Sequence, residues 1–252
     1  MHLEKWYLDV FDQDKLNIFY RAKLEFGPLH IGCEARLDQT GMRDISFNLF
    51  GRSQLPSLVT NRSGSVVVSL KANGKTGIWS GALSNAVKLW EDGPHHVTWE
   101  PLVLNGSVDG LIAGIGYAEK LTMNIAPWHL GIDRLWWGHF CGKQNSLAWI
   151  EWEGAHSVQL ALHDGVRESL DSVSLDRIMV GKSLELVFEG SQKVIDQPIG
   201  SGALAGLSLL RHLAPYHFLR GHELKIMAKG VLRRNGVNID EGYSIRELIT
   251  WR

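Results

Sequence analysis

Hydrophobic and polar residues alternate along most of this chain, in short segments separated by turn-forming residues. The segment 114–125 shows the pattern well. One parity holds Tyr117, Glu119, Leu121, Met123 and Ile125, and the other holds Ala118, Lys120, Thr122 and Asn124. Alternate side chains of a strand face opposite sides of a sheet, so this pattern predicts a strand. We expect the first set to face a core or a cavity.

Similar segments recur through the chain and predict an all-β fold. They lie at 6–10, 18–26, 29–37, 65–71, 97–104, 110–125, 134–141, 147–152, 157–163, 173–178, 183–189, 222–232 and 243–251. Their spacing, about 8–12 residues, is typical of a sandwich or barrel rather than of βαβ units. Asn105-Gly106 predicts a hairpin turn. The segment 78–91 fits either a strand or a short helix.

One segment has a different period. Apolar residues at 201–213 follow helical spacing, and Pro215 ends the pattern. We predict a short helix lying against a barrel; a lid or a membrane-touching patch is the alternative. The two series of strands meet between 127 and 131. Residues 1–128 and 129–252 are therefore predicted to form two related β-barrel domains without a flexible linker.

Composition and charge exclude several classes of partner. The 252 residues are 44% hydrophobic and 21% charged, with a formal net charge of −1, so nothing favours nucleic acid as a partner. The N-terminal residues lack an apolar signal region, and no run of about 18 apolar residues indicates a transmembrane helix. We expect a cytoplasmic protein. The sequence does not indicate an oligomeric state.

Neither a metal nor a cofactor is predicted. Cys33 and Cys141 are far apart and fit no metal spacing; two reduced, buried thiols are expected, with a disulfide as the alternative. Gly114-x-Gly116 is not a dinucleotide fingerprint, because a third glycine is missing and a strand follows. These glycines are expected to allow a bulge or close approach of strands.

Three sequence blocks resemble a known family. They are Gly-x-Gly-Tyr-x-Glu at 114–119, Pro127-Trp128 and Leu135-Trp-Trp-Gly138, and the opening Glu4-Lys-Trp-Tyr-Leu-Asp9 matches as well. They resemble the AttH-like/hydroxyneurosporene synthase (carotenoid hydratase) family of lipocalin-like proteins. The resemblance implies two lipocalin-like antiparallel β-barrels packed together and a hydrophobic ligand pocket.

The chemistry that this resemblance implies is varied. It includes acid-promoted addition of water to an isolated alkene of a carotenoid, and related fungal proteins promote pericyclic cyclisation of polyenes. Longer members of the family carry His and Asp after the Gly-Tyr pair, where this chain has Ala118, Glu119 and Lys120. The candidate acid is therefore a different residue here.

Glu119 is the first candidate catalytic residue. A carboxyl on an otherwise apolar face is disfavoured as an anion, which is the condition for a general acid. Protonation of an alkene also needs a dry pocket and aromatic faces that stabilise a developing cation. The alternative is a structural carboxyl that pairs with Arg134 or Lys120, or that accepts a backbone or indole N–H.

Asp133 and His139 are further candidates for catalysis. Asp133 would be a second acid or would position water, and the alternative is a turn residue. His139 would move a proton, and the alternative is a core histidine with satisfied hydrogen bonds. Ten tryptophans are unusual for this length. The expected ligand-binding residues are Tyr117, Met123, Trp128, Trp136, Trp137, Trp149 and Trp152.

These features lead to one main functional hypothesis. We expect a cofactor-independent enzyme that binds a hydrophobic unsaturated small molecule, such as a terpenoid or polyene, and promotes its hydration, cyclisation or isomerisation. The first alternative is a non-catalytic carrier of such a molecule. The second is a purely structural or interaction role. Glu119 discriminates between them, because only the enzyme needs a protonatable carboxyl.

Overall fold

The computed structural model consists almost entirely of antiparallel strands. It describes residues 1–12, 15–49, 54–61, 64–72, 74–201 and 214–251. Their contacts divide the chain into two compact units, Met1–Leu130 and Gly131–Arg252. The predicted helix lies outside the described residues except for Ser201, which ends the 3-10 turn Ile199–Ser201.

In the first unit, ten described strands form one sheet. They are β1 (His2–Asp12), β2 (Lys15–Phe26), β3 (Leu29–Asp38), β4 (Gly41–Leu49), β5 (Ser57–Thr60), β6 (Ser65–Ala72), β7 (Lys75–Ala82), β8 (Val87–Asp92), β9 (His95–Asp109) and β10 (Gly114–Met123). The order across the sheet is β4-β3-β2-β1-β10-β9-β7-β6-β5, and β8 pairs with β9 beside β7. A 3-10 turn, Pro127–His129, follows β10.

In the second unit, nine described strands form another sheet. They are β11 (Ile132–Gly142), β12 (Ser146–Gly154), β13 (Val158–His163), β14 (Val166–Glu168), β15 (Leu170–Val173), β16 (Arg177–Val180), β17 (Leu184–Pro198), β18 (His222–Arg234) and β19 (Val237–Thr250). The order is β14-β13-β12-β11-β19-β18-β17-β16-β15. A four-residue helix, Tyr216–Leu219, precedes β18.

The two sheets share one topology. In each, the first strand pairs with the last, β1 with β10 and β11 with β19, and the two strands at the ends of the sheet are consecutive in sequence. Each sheet therefore curls into a barrel. The long strand β17 pairs with all of β18, whereas its counterpart in the first unit is split into β7 and β8.

The interior of the first barrel is apolar. Trp6, Leu8 and Val10 of β1 lie in one cluster with Trp79 of β7. Trp79 reaches across the barrel, since its indole N–H donates to the Asp9 carbonyl oxygen at 2.6 Å. The other members of the cluster are Phe19, Val66, Val68, Leu70, Leu102, Val103, Val108 and Ala118.

The interior of the second barrel is built in the same way. Trp149 of β12 and Phe188 of β17 meet across it, with ring centroids 6.2 Å apart. Phe140 of β11 belongs to the same cluster. The remaining buried members are Leu147, Ala161, Leu170, Ile178, Val180, Leu184, Leu186, Ala228 and Leu232.

The central strands are also buried on the face turned away from each barrel interior. On β1 and β10 that face carries Tyr7, Asp9, Tyr117 and Glu119, none more than 7% exposed. On the second unit it carries residues including His139 and Glu247, whose exposures are 0% and 8%. The predicted alternation of β10 is therefore present, but Ala118, not Glu119, faces the barrel interior.

Two local predictions were wrong or undecided. Asn105-Gly106 is not a hairpin turn, because β9 runs through it to Asp109. A Cβ on Gly106 would lie 2.6 Å from the Ser80 carbonyl oxygen, so glycine is needed there for the close approach of β7. The undecided segment 78–91 contributes to β7 and β8 and contains no helix among its residues.

The prediction for Gly116 is confirmed, and the prediction for the two cysteines is confirmed in part. Close approach at Gly116 is confirmed, since a Cβ there would lie 2.9 Å from the Trp79 indole nitrogen, and a register shift follows it. Both cysteines are free thiols. Cys141 is buried as expected, whereas Cys33 is only half-buried. Burial raises the pKa of the Cys33 thiol to about 11, which keeps it protonated at neutral pH.

Candidate functional site

Glu119 lies at the centre of a buried hydrogen-bonded cluster in the first unit. The Tyr117 hydroxyl donates to its Oε2 atom at 2.8 Å, and the Trp99 indole N–H donates to the same oxygen. Glu119 is 7% exposed and Trp99 is 1% exposed. An indole N–H can only donate, so Oε2 is fixed as an acceptor. Both of these bonds come from neutral groups.

Asp9 extends this cluster on β1. Its carboxylate accepts the Tyr7 hydroxyl at 2.8 Å and the backbone N–H of Tyr117 at 3.0 Å. The Tyr7 ring lies 5.2 Å from the Tyr20 ring and 6.1 Å from the Tyr117 ring. Burial, together with the Asp9 carboxylate, holds the pKa of Tyr7 well above its usual value. Tyr7 therefore stays a hydroxyl donor.

The strand register explains why these residues meet. On β1 and β10, Tyr7 stands opposite Glu119 and Asp9 stands opposite Tyr117, so all four side chains share one face. A register shift between Ala118 and Glu119 in the β9–β10 pairing accompanies the approach of Trp99 from β9. The site is thus built on three adjacent strands.

An equivalent position in the second unit carries Glu247. It lies on the last strand opposite Trp137 of the first strand, as Glu119 lies opposite Tyr7. The Lys225 ammonium, 0% exposed, donates to the Glu247 carboxylate. Lys225 Nζ also lies 5.5 Å from the Trp137 ring centroid and 3.8 Å from Glu223. This carboxylate is therefore neutralised by a cation.

His139, a predicted catalytic residue, belongs to this cluster of the second unit. It is 0% exposed, its ring lies 5.8 Å from that of Trp137, and its Nδ1 atom is 3.7 Å from Cys141 Sγ. Asp133 is exposed at the start of β11. Its backbone carbonyl oxygen accepts the backbone N–H of Trp251 at 2.9 Å. An exposed carboxyl does not fit the role of an acid in a dry pocket.

The predicted ligand-binding residues are spread over several faces. Tyr117 belongs to the Glu119 cluster, and Met123 is buried near the end of the same strand. Trp136 and Trp149 share the face of the second barrel interior, whereas Trp137 and Trp152 are buried on the opposite face. Trp128 lies half-buried in the 3-10 turn beside His129. These residues do not line one common surface.

One cavity is formed within the described part of the first unit. Its volume is about 550 Å³, and none of the predicted site residues lines it. The lining is polar and consists of Arg21, Glu34, Gln54, Lys71, Ala72, Gly74, Lys75 and Thr76. Such a lining does not match an apolar ligand.

The described residues contain no group of three His, Cys, Asp or Glu side chains arranged to hold a metal ion. None of the helices in those residues is long and apolar enough to cross a membrane.

Several solved structures resemble this chain along its full length. A protein from Nitrosomonas europaea with the provisional name AttH has a TM-score of 0.55 at 11% identity, covering 100% of this chain and 93% of that chain. Kievitone hydratase from Nectria haematococca gives 0.50 at 9%, covering 98% and 88%. CghA gives 0.56 at 8%, covering 99% and 88%.

These similarities show that the chain has a lipocalin-like fold of two β-barrels. Neither a protein-family model nor a curated protein matches the sequence. The fold implied by the sequence resemblance is thus confirmed. Identities this low show the fold alone, so the function has to be argued from the residues.

Sequence reasoning missed several residues of the buried clusters. Trp99, Asp9 and Tyr7 contribute to the Glu119 cluster, and Lys225 neutralises Glu247. Asp9 does carry a signal, because it shares parity with Tyr7 in an otherwise apolar strand. Trp99 and Lys225 carry none, since only the pairing register of the strands decides what they meet.

Proposed function

We propose that this protein is a cofactor-independent enzyme that binds a hydrophobic, unsaturated small molecule and promotes its hydration, cyclisation or isomerisation, with Glu119 as the proton donor. The observation that carries the proposal is the Glu119 carboxyl itself. It is 7% exposed and is oriented by Trp99 and Tyr117, two neutral donors. A buried, oriented carboxyl is what acid-promoted alkene chemistry requires.

The two donors also indicate which oxygen carries the proton. Oε2 accepts both the Trp99 and the Tyr117 hydrogen bonds, so the proposed mechanism assigns the transferable proton to Oε1. Transfer to an alkene carbon forms a C–H bond and leaves a cation on the neighbouring carbon. In hydration, water adds to that carbon and returns a proton to the carboxylate, which restores the acid.

Aromatic side chains near Glu119 suit a cationic intermediate. The rings of Tyr7, Tyr20 and Tyr117 lie within 6.1 Å of one another in the pairs Tyr7–Tyr20 and Tyr7–Tyr117. Aromatic faces attract cations, by about 0.5–2 kcal/mol for each contact. One of the similar structures is named a hydratase, which supports water addition as the first reaction to test.

The first experiment identifies the ligand. Protein purified from its own host is analysed by native mass spectrometry and by organic extraction. A co-purifying terpenoid or polyene supports the proposal and supplies the substrate class. A ligand-free mass, with no uptake of added terpenoids or polyenes, contradicts both the enzyme and a carrier.

The second experiment separates an enzyme from a carrier. Glu119→Gln keeps an oxygen acceptor for Trp99 but cannot donate a carboxylic proton. We expect this variant to bind the extracted ligand and to lose turnover by at least about a hundredfold. Glu4→Gln is the matched control, since Glu4 also accepts an indole N–H, from Trp6 at 2.7 Å, but is only half-buried. Uptake without conversion by the unaltered protein would establish a carrier instead.

A further inference from the structure

Arg246 is a buried arginine in the interior of the second barrel. It is 2% exposed, and its Cζ atom lies 3.9 Å from the centroid of the Phe188 ring. Its Nη2 atom donates to Ser191 Oγ at 2.7 Å. The Nε and Nη1 atoms are buried, and no atom in the described part of the chain forms a hydrogen bond with them. Most of the donor capacity of this guanidinium is therefore unused.

The other buried cations of the described chain have carboxylate partners. Arg21 lies 3.3 Å from Glu34, and Lys225 pairs with Glu247. Among the described residues, no carboxylate lies within ion-pair distance of Arg246. Burial of a charge without a counter-ion is strongly unfavourable. An arginine in this position indicates a place for an anion that the described residues do not supply.

A second unused donor points to the same place. The indole N–H of Trp149 is buried and has no hydrogen-bond partner among the described residues. Trp149 on β12 and Arg246 on β19 both stand opposite Gly138 of β11, one on each side. Trp149 leans over this glycine, because a Cβ there would lie 2.8 Å from its Cε2 atom, to which Nε1 is bonded. Both donors also lie beside the Phe188 ring, whose centroid is 3.9 Å from Arg246 Cζ and 6.2 Å from the centroid of the Trp149 ring.

The surroundings combine aromatic residues of the interior with residues that are exposed to solvent. Phe140, Phe188 and Trp149 form the aromatic part of the interior. Ser191, the partner of Arg246, is exposed and lies in a register shift of β17. The exposed Asp176 is close by, since its carbonyl oxygen accepts the Phe188 N–H at 3.0 Å. The guanidinium thus lies between the apolar interior and the surface.

The charge state of Arg246 suits anion binding. Burial lowers its pKa to about 10, and the Asp176 carboxylate partly opposes that shift. The guanidinium is still a cation at neutral pH. A bound anion would raise the pKa of Arg246 again, so anion binding favours the protonated guanidinium and the protonated guanidinium favours anion binding.

We infer that the interior of the second barrel is a binding site for the carboxylate of an aliphatic or aromatic acid, received by Arg246 and by the indole N–H of Trp149. A planar carboxylate matches the guanidinium. Its single charge matches the single cation, and an apolar body matches the walls. A phosphate dianion would leave one charge uncompensated beside Asp176. Arg246 and Trp149 both belong to the second unit, and the inferred site does not depend on the function proposed for Glu119.

Calorimetric titration with octanoate tests the inference, with 1-octanol as the neutral probe of equal chain length. We expect octanoate to bind at least about tenfold more tightly than octanol. Arg246→Met should lose that preference, and Trp149→Phe should lower the affinity for octanoate several-fold. Arg177→Met is the matched control and should bind normally, because Arg177 pairs with Glu185 and its side chain is 64% exposed.

Two further measurements keep the test decisive if a variant folds poorly. In the unaltered protein, octanoate should shift the indole N–H resonance of Trp149, assigned by its loss in Trp149→Phe. Without ligand, Arg246→Met should resist urea at least as well as the unaltered protein, because it removes an uncompensated charge. Equal binding of octanoate and octanol, or an unmoved Trp149 resonance at saturating octanoate, would overturn the inference.

Discussion

Glu119 and Glu247 occupy matching positions in two units of the same topology, yet their partners are different. Each lies on the last strand of its barrel, opposite an aromatic residue of the first strand. Glu119 accepts hydrogen bonds from a phenol and an indole, whereas Glu247 accepts one from the buried Lys225 ammonium. The same fold therefore holds one carboxyl with neutral donors and the other with a cation.

This difference bears on what each carboxyl can do. An ammonium at contact distance strongly favours the ionised form of Glu247 and makes it a poor proton donor. Neutral donors orient a carboxyl without adding a positive charge, so Glu119 is the better candidate for acid chemistry. Comparison of the two equivalent positions thus supports the proposal that Glu119 has a chemical role and Glu247 a structural one.

Removal of the lysine should have the largest effect on stability. Lys225→Met leaves Glu247 buried without its ammonium, and we expect the free energy of unfolding to fall by about 3–5 kcal/mol. Urea denaturation followed by tryptophan fluorescence measures it. The double variant Lys225→Met/Glu247→Leu should recover most of the loss. If Lys225→Met costs less than about 1 kcal/mol, the pair is no stronger than a weak surface salt bridge, and the contrast drawn between Glu247 and Glu119 fails.

The next largest effect should come from the indole donor of Glu119. Trp99→Phe keeps an aromatic ring but leaves a buried carboxyl with one donor fewer, at an expected cost of about 1–3 kcal/mol. Trp6→Phe is the control, because its indole N–H bonds to the half-buried Glu4. If urea denaturation gives equal losses for both variants, the buried hydrogen bond at Glu119 contributes no more to the free energy of unfolding than the one at Glu4.

Asp240 has a third kind of carboxyl environment, which predicts that the stability of the protein depends on pH. Burial alone would raise the pKa of Asp240, but the backbone N–H groups of Gln144, Asn145 and Glu241 and the Asn145 side chain hold it below its usual value. A depressed pKa contributes stability above the unfolded-state value of about 3.9, and that stability is lost as the pH falls through the folded value. The stability gap between the unaltered protein and Asp240→Asn should therefore narrow below about pH 4. A gap that stays constant in acid would contradict this prediction.

The smallest loss of stability is expected at the proposed acid itself. Glu119→Gln keeps an acceptor oxygen for Trp99 and Tyr117, so the cost should be about 1 kcal/mol or less. Glu247→Gln should cost clearly more, because the buried Lys225 ammonium loses the Glu247 carboxylate, whereas Glu223 is more distant at 3.8 Å. Thermal and urea unfolding of the two variants side by side measure this order. The reverse order would refute the division of roles between the two glutamates.

The fold was largely predictable from the sequence because period-two alternation is a local property. The strands around Glu119 and Trp137 follow from it directly, and so does the all-β class. The hairpin turn predicted at Asn105-Gly106 was wrong, because Gly106 lies within a strand and allows the backbone of Ser80 to approach closely. The local signal is the same in both cases, and only the neighbouring strand distinguishes them.

The candidate site was predictable only in part. The burial of Glu119 follows from its apolar neighbours in the strand, but its donor Trp99 does not, because the register of β9 against β10 decides that contact. Lys225 looks like an ordinary exposed lysine between Leu224 and Ile226. Its burial depends on Glu247, which is distant in sequence.

The pairing of first and last strands constrains how this protein can be synthesised. Tyr7 and Glu119 are more than a hundred residues apart in sequence, yet they face each other across β1 and β10. Contacts of such long range form late in folding, and β1 remains an unpaired strand edge until β10 has left the ribosome. A nascent chain that ends before β10 therefore has neither a closed first barrel nor a Glu119 cluster, and it is the form of this protein most exposed to aggregation and to chaperones.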